Sequence, residues 1–304
     1  MNIAIMGIGG VGGYFGGKLA KYCENKKDMK TVFIARGKHL EEILKNGLKV
    51  IADESTFVAR PYKASSDPES CGLFDLIIFC VKSYDLEESA KLFKNCVNKN
   101  TVAITILNGV NNSQRLKAVL PDTRILDGCV YIGASIEKAG VVRQSGGSCQ
   151  FYFGDESTSK EYLEIEQLLI DAGIKAEYRK DIKKVIWEKY MFVSPLASAT
   201  SYCKKTFGEI MEDEQSKSIL IGLLKEVENV SKYQKIFLPD DICKKSIDKV
   251  SLFPYETKSS LQMDFERKKK TELDIFTGYI INCAKEYGLS VPYHEKVYKV
   301  LSSI

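Results

Sequence analysis

The sequence has few histidines, no cysteine pairs at metal-binding spacing and no long apolar run. His39 and His294 are the only two histidines in 304 residues, and we expect both at the protein surface. The nine cysteines are scattered without a C-x-x-C pair, which argues against a zinc site or a disulfide framework and predicts reduced thiols. No apolar stretch approaches the length of a membrane span, and the N-terminus lacks a signal-peptide pattern. We therefore predict a soluble, cytoplasmic protein without a metal.

The charges are too evenly balanced for a nucleic-acid-binding surface. Lys and Arg number 44 against 40 Asp and Glu, a formal net charge of +4. This balance disfavours DNA, RNA or membrane partners but is compatible with an anionic small molecule.

Short apolar strands alternate with helical segments up to about residue 180, and helical periodicity dominates after it. One segment, residues 140–154, is predicted to be a hairpin that turns at Gly146-Gly147. The length fits two domains. We predict an α/β protein with an N-terminal Rossmann-type parallel sheet domain over residues 1–180 and an all-helical C-terminal domain over residues 181–304.

A glycine-rich turn follows the first predicted strand, residues 2–6, and precedes a helix. The turn reads Gly7-Ile8-Gly9-Gly10-Val11-Gly12, which has the spacing G-x-G-x-x-G. Gly7 permits the turn, Gly9 lets the backbone approach a pyrophosphate, and Gly12 lets the helix pack on the strand. The amides at the helix start then face the phosphates. The pattern predicts a dinucleotide site, the alternative being a purely structural turn.

Cofactor choice depends on the residue after the second strand. An acidic residue there binds the ribose 2′-OH of NAD, whereas an arginine can hold the 2′-phosphate of NADP. This chain has Arg36, with Lys38 nearby. Arg36 therefore favours NADPH, unless it lies in a solvated basic turn.

Polar residues also follow two later buried strands. Lys82 follows the apolar strand 75–81, and Asn108-Gly109 follows strand 101–106. Ligands of open α/β sheets bind at the carboxyl ends of the strands, so both residues are predicted at the ligand edge. Asn108 could hold a nicotinamide ribose or a substrate, or it could simply form a turn.

The C-terminal half supplies the candidates for acid catalysis. Reduction of a ketone requires a proton donor, and with histidine scarce a lysine is the natural choice, since partial burial lowers its pKa. Lys189 lies in an apolar segment that contains the only tryptophan, although a surface lysine is equally compatible with this segment. Ser260 and Asp264 share one helical face. The spacing from Thr271 to Asp274 predicts a capping box, which places Glu272 in a first helical turn.

Taken together, these motifs resemble the ketopantoate reductase family (2-dehydropantoate 2-reductase) over essentially the whole chain. The matching residues are Gly7-Ile8-Gly9-Gly10-Val11-Gly12, Arg36, Val81-Lys82, Leu107-Asn108-Gly109, Trp187-Glu188-Lys189, Ser259 to Asp264, and Thr271 to Asp274 with Gly278. The resemblance implies an NADP-binding Rossmann domain, a helical second domain and the reduction of the C2 ketone of ketopantoate to pantoate, a step of pantothenate biosynthesis.

The resemblance also implies residue roles. Lys189 corresponds to the general acid, and Glu272 to the carboxylate that anchors the substrate hydroxyl and supports that lysine. Residues that correspond to substrate-holding or supporting positions are Asn108, Ser260, Asp264 and Lys82. Lys82, Asn108 and Glu272 are also expected near the cofactor.

One position departs from the family pattern. The family has an asparagine one helical turn after the lysine, and here that place is Val193, with Ser194 and Ser198 nearby. Losing a polar contact to a substrate hydroxyl changes specificity. The open alternatives are a reductase of another 2-keto acid and a non-catalytic NADPH-binding sensor. The sequence leaves the oligomeric state open, with a homodimer as one option.

Overall fold

The computed structural model describes residues 1–53, 55–157 and 159–304. The chain forms two compact units, the first made of Met1–Leu107 and Asn111–Ile182, the second of Asn108–Val110 and Lys183–Ile304. The second unit thus includes three residues of the predicted N-terminal domain. Along the described ranges, no helix combines the length and the apolar composition needed to cross a lipid bilayer.

The first unit contains ten strands and five helices within the described residues. Its elements are β1 (Asn2–Met6), α1 (Gly10–Cys23), β2 (Lys30–Ile34), α2 (Gly37–Asn46), β3 (Leu48–Ile51), β4 (Thr56–Ala59), β5 (Lys63–Ser65), β6 (Leu76–Phe79), α3 (Leu86–Lys91), β7 (Val102–Thr105), α4 (Asn112–Val119), β8 (Arg124–Lys138), β9 (Val141–Gly154), α5 (Lys160–Asp171) and β10 (Lys175–Tyr178).

The strands form one sheet in the order β4-β3-β9-β8-β7-β6-β1-β2-β5, with β10 beside β9. Strand β1 lies between β2 and β6 and is parallel to both. The strand order along the chain therefore reverses direction at β1, which defines the topological switch point of a doubly wound sheet. The loops that follow β1, β2 and β6 leave from the same edge. The predicted fold class is confirmed, since a mostly parallel sheet precedes a helical region.

The two faces of β1 are both buried, as expected for a central parallel strand. Ile3 and Ile5 pack into the cluster that contains Phe15 and Leu19 of α1. Ala4 belongs to the opposite cluster, which includes residues of α3 and α4. This layering explains the nearly continuous apolar sequence of the strand.

The hairpin predicted at residues 140–154 is wrong, because the chain does not turn at Gly146-Gly147. The whole segment Val141–Gly154 is one strand, β9, which pairs antiparallel with β8, and the chain reverses between Lys138 and Val141. The register shifts next to Gly133, which pairs with Gly146. Glycines inside a strand commonly mark a bulge. Two adjacent glycines are also typical of a turn, so the sequence alone does not distinguish the two.

The second unit contains helices only within the described residues. They are α6 (Ile182–Cys203), α7 (Phe207–Glu212), α8 (Glu214–Tyr233), α9 (Ile242–Val250), α10 (Ser260–Glu266), a π-helical turn (Asp274–Gly278), α11 (Tyr279–Tyr287) and α12 (Pro292–Leu301). One apolar cluster joins them, with Met191, Leu223 and Phe276 almost fully buried. This arrangement agrees with the predicted helical second part of the chain.

Candidate functional site

The glycine turn is packed as a dinucleotide fingerprint requires. Gly7 has φ +94°, and a Cβ on it would lie 2.8 Å from Val81 Cγ1, beside Lys82. A Cβ on Gly12 would lie 2.0 Å from the Gly7 carbonyl oxygen, whereas a Cβ on Gly9 would meet nothing within 4 Å. Gly7 and Gly12 are therefore glycines because the backbone is crowded. Gly9 is a glycine at a point with open space, which is where a phosphate would approach.

Helix α1 starts at Gly10, within this glycine-rich segment, with Gly9 as its N-cap. Because Gly9 has no side chain, it cannot cap the first amides of the helix, and these amides can donate hydrogen bonds to an anion. Gly10 itself lies so close to the Ala134 carbonyl that a Cβ would fall 2.1 Å from its oxygen. The predicted residues Gly7 to Gly12 thus form a crowded turn and an uncapped helix start.

Arg36 lies at the start of α2, in the loop after β2, and its side chain is 86% exposed. Its Nη2 donates a hydrogen bond to Asp85 Oδ2 at 3.1 Å. Asp85 lies in the short 3-10 turn Ser83–Asp85 that follows Lys82. The sequence motifs predict Arg36 and Lys82 as site residues and do not point to Asp85. The signal was its place three residues after Lys82, at the same sheet edge.

Arg115 of α4 holds the loop after β6 in place. It donates to the Ser83 carbonyl at 2.6 Å and to both carboxylate oxygens of Glu87, at 2.6 and 2.8 Å. The hydrogen bond from Arg115 lowers the pKa of Glu87. The turn that contains Lys82 and Asp85 is therefore fixed by an ion pair between two elements, which sequence reasoning also missed.

Neither histidine lies exposed at the surface, contrary to expectation. The His39 Nδ1 accepts the Gly140 amide at 3.0 Å, and burial lowers the pKa of His39. His294 is fully buried in the first turn of α12, where its Nδ1 lies 2.6 Å from Glu226 Oε2. Burial lowers the pKa of His294, against the opposing effect of the Glu226 carboxylate. Glu226 also accepts the backbone amides of Tyr293 and His294, so the pair anchors the start of α12.

The helical unit brings together two of the predicted site residues. Lys189 Nζ donates to Asn108 Oδ1 at 3.0 Å, across 81 residues of sequence. Both side chains belong to the second unit, because the segment Asn108–Val110 packs with the helices. Both residues are partly buried. The lysine in the apolar segment of α6 therefore presents its ammonium to a polar group.

Glu272 is 5% exposed and lies just before the π-helical turn. Its carbonyl accepts the amides of Ile275 and Phe276, at 3.1 and 3.2 Å. The predicted capping box is wrong, because the helical segment begins at Leu273, so that Glu272 and not Thr271 precedes its first residue. The Asp274 carboxylate instead accepts the Tyr298 hydroxyl at 2.7 Å. Single π-helical turns are frequent at functional sites, since they move side chains off the regular helical register.

One face of α6 binds this π-helical turn through three hydroxyl groups. Tyr190 donates to the carbonyls of Ile275 and Phe276 at 2.8 and 2.7 Å, and Ser194 donates to Phe276 at 2.8 Å. Ser198 Oγ lies 2.9 Å from Thr277 Oγ1. The Tyr190 and Ser194 hydroxyls thus donate hydrogen bonds to backbone carbonyls of a turn whose own hydrogen bonds depart from the α-helical pattern.

Ser194 and Ser198 therefore have structural partners of their own. They do not stand in for the family asparagine at the place of Val193. Val193 itself is partly buried and packs against the apolar cluster of the helical unit.

The predicted residues Ser260 and Asp264 lie on α10. Ser260 is its exposed first residue, and Asp264 follows one turn later with partial exposure. The preceding Ser259 is the N-cap, since its Oγ accepts the Gln262 amide at 3.1 Å and lies 2.8 Å from Thr200 Oγ1. Ser259 caps the helix, whereas Ser260 is its exposed first residue. Ser260 therefore stays the candidate for a substrate contact.

The structure offers no metal site in the portion of the chain that it describes, since no three His, Cys, Asp or Glu side chains are grouped for one. All nine cysteines are free thiols.

Comparison with known proteins covers almost the entire chain. The family model described as "Ketopantoate reductase PanE/ApbA" matches residues 3–157, and its C-terminal counterpart matches residues 181–304. An uncharacterised oxidoreductase of Bacillus subtilis is 28% identical, with 98% of this chain and 97% of the relative covered.

Solved structures agree with this result. The crystal structure of 2-dehydropantoate 2-reductase from Porphyromonas gingivalis is 31% identical, covers 99% of both chains and has a TM-score of 0.87. A D-mandelate dehydrogenase with NADH and anilino(oxo)acetate is 22% identical, covers 100% of this chain and 98% of the other, and has a TM-score of 0.86. At that identity the second similarity shows the fold alone.

Proposed function

The chain belongs to the ketopantoate reductase family, and we propose that it is an NADPH-dependent reductase that converts 2-dehydropantoate into pantoate for pantothenate biosynthesis. The observation that carries the proposal is the hydrogen bond from Lys189 Nζ to Asn108 Oδ1 at 3.0 Å. An ammonium held by an amide is suited to donate a proton to a ketone oxygen, because the amide fixes the ammonium without neutralising it.

The cofactor residues follow from the glycine turn. Gly7 to Gly12 and the start of α1 would hold the pyrophosphate, and Arg36 would contact the 2′-phosphate. A nicotinamide cofactor held by these residues would supply the hydride for C2 of the keto acid.

The chain's own residues supply the proton and hold the substrate. Lys189 protonates the carbonyl oxygen as negative charge develops on it, and the resulting amine regains a proton from solvent. Asn108 accepts one N–H of the ammonium and orients it toward that oxygen. The buried carboxylate of Glu272 anchors the substrate hydroxyl and supports the charge of the lysine. The family resemblance makes Ser260, Asp264 and Lys82 the further candidates for substrate contacts.

The first experiment compares turnover with cofactor binding. Lys189→Ala should lower kcat for ketopantoate by about 10²- to 10⁴-fold, the usual contribution of a general acid, with little change in the Kd of NADPH. The matched control is Lys184→Ala, an exposed lysine on the same helix, which should keep wild-type kcat. Wild-type protein that binds NADPH but reduces no 2-keto acid would instead support the sensor function.

A second candidate substrate follows from Val193, which packs against apolar neighbours where the family has an asparagine. A site without that amide should tolerate a 2-keto acid that lacks the hydroxyl of ketopantoate. The matched substrate is 3,3-dimethyl-2-oxobutanoate, which differs from ketopantoate only in that hydroxyl. A kcat/KM ratio near one for the two acids would favour the second candidate, and a large preference for ketopantoate would show that other residues, such as Glu272, suffice.

A further inference from the structure

The guanidinium that would hold the cofactor's 2′-phosphate has a carboxylate beside it. Arg36 follows β2 and Asp85 lies in the turn after β6, and these two strands flank β1 on either side. The Arg36–Asp85 ion pair, at 3.1 Å, therefore lies at the switch-point edge of the sheet, where the glycine turn also begins. The exposed fractions of the side chains, 86% for Arg36 and 35% for Asp85, leave both accessible to a ligand.

The two nicotinamide cofactors differ only in the group that would meet this pair. A phosphate monoester carries about −1.5 to −2 charges at neutral pH and competes with a carboxylate for the same guanidinium donors. A carboxylate bonded to that guanidinium would lie within a few ångströms of the phosphate and repel it. The 2′-OH of NADH is neutral and can donate a hydrogen bond to a carboxylate, which is the usual role of the acidic residue in NAD-binding sheets.

We propose that Asp85 determines cofactor specificity by opposing the 2′-phosphate of NADPH at Arg36 and by accepting the 2′-OH of NADH. Arg36 supplies attraction for NADPH, and Asp85 limits it, so the preference for NADPH is smaller than Arg36 alone would give. The acidic ribose contact, which is missing at the end of β2, is supplied from the turn after β6. The inference rests on the proposed nicotinamide-dependent function.

The test measures the Kd of NADPH and of NADH directly, by the fluorescence of the reduced nicotinamide, without a keto acid. For Asp85→Asn, the Kd of NADPH should fall about tenfold, as expected for removing one partly screened like charge at about 5 Å. The Kd of NADH should change less than about threefold, because an amide oxygen can still accept the 2′-OH. Arg36→Ala should weaken NADPH binding at least tenfold and leave NADH binding nearly unchanged.

The matched control is Glu88→Gln, which removes an equal charge three residues along the chain. Glu88 is exposed and pairs with Lys91 at 2.6 Å rather than with Arg36. It should leave the NADPH to NADH affinity ratio within about twofold of wild type. Asp85→Ala serves as a second variant, and thermal melting confirms that each protein is folded.

The outcomes are distinct. An Asp85→Asn protein that binds NADPH more weakly would overturn the inference, because Asp85 would then orient Arg36 for the phosphate. An unchanged ratio, equal to that of Glu88→Gln, would overturn it as well. If folded wild-type protein binds neither cofactor, the proposed function fails and the inference fails with it, whereas binding without an effect of Asp85 leaves the proposed function standing.

Discussion

The hydroxyl groups of α6 that hold the π-helical turn should contribute to stability cooperatively. Tyr190 and Ser194 both donate to the Phe276 carbonyl, at 2.7 and 2.8 Å, and Tyr190 also reaches Ile275. Ser194→Ala leaves the Phe276 carbonyl with the Tyr190 hydroxyl as its side-chain donor and should lower the free energy of unfolding by about 1 kcal/mol, the net value of one hydrogen bond. Tyr190→Phe leaves Phe276 with the serine and should cost about 1–2 kcal/mol.

The double variant removes both side-chain donors from the same carbonyl. It should cost about 1 kcal/mol more than the sum of the two single changes, because a buried acceptor that loses its last side-chain donor has a desolvation penalty of its own. Ser201→Ala is the matched control. Its hydroxyl donates to the Ala197 carbonyl one turn earlier in α6, so its loss should change stability by less than about 0.5 kcal/mol.

The assay is urea unfolding followed by tryptophan fluorescence. Trp187 is the only tryptophan, is 5% exposed and has its ring centroid 5.7 Å from that of Tyr190, so its signal reports the helical unit. Single and double variants that add to within about 0.5 kcal/mol would refute the reasoning. Since the same turn follows Glu272, we also expect the double variant to raise KM for the keto acid more than it lowers kcat.

Two further predictions concern the glycine turn and the buried histidine. Gly9→Ala should fold with wild-type thermal stability, because its Cβ enters open space, yet it should weaken NADPH binding at least tenfold, because that space is where the phosphate would approach. Gly12→Ala should lower the melting temperature, because its Cβ would lie 2.0 Å from the Gly7 carbonyl oxygen. Equal stability of both variants would contradict this. Because the pKa of His294 is lowered on folding, the unfolded chain binds the extra proton first. The free energy of unfolding should therefore fall as pH drops from neutral through the ordinary histidine range, and His294→Gln should flatten that slope; an unchanged slope would exclude His294 as its source.

The sequence by itself determined the architecture and the family. The G-x-G-x-x-G turn, the buried parallel strands and the change to helical periodicity near residue 180 are local patterns, and local backbone preferences and burial are enough to define such elements. The order of strand, glycine turn and helix predicted the nucleotide-binding sheet, and the comparisons confirmed the family. Local patterns failed where one residue type serves two purposes, as at Gly146-Gly147, where glycines read as a turn lie inside one long strand.

Only the tertiary structure decided which distant side chains meet. The bond between Lys189 and Asn108 spans 81 residues, and the Arg36–Asp85 pair joins two loops that are neighbours only because β2 and β6 both flank β1. Likewise, the serines beside Val193 have partners in a π-helical turn that no sequence period signals. The physical reason is that periodicity reports which face of an element is buried, whereas the partner of a polar group depends on how separate elements pack.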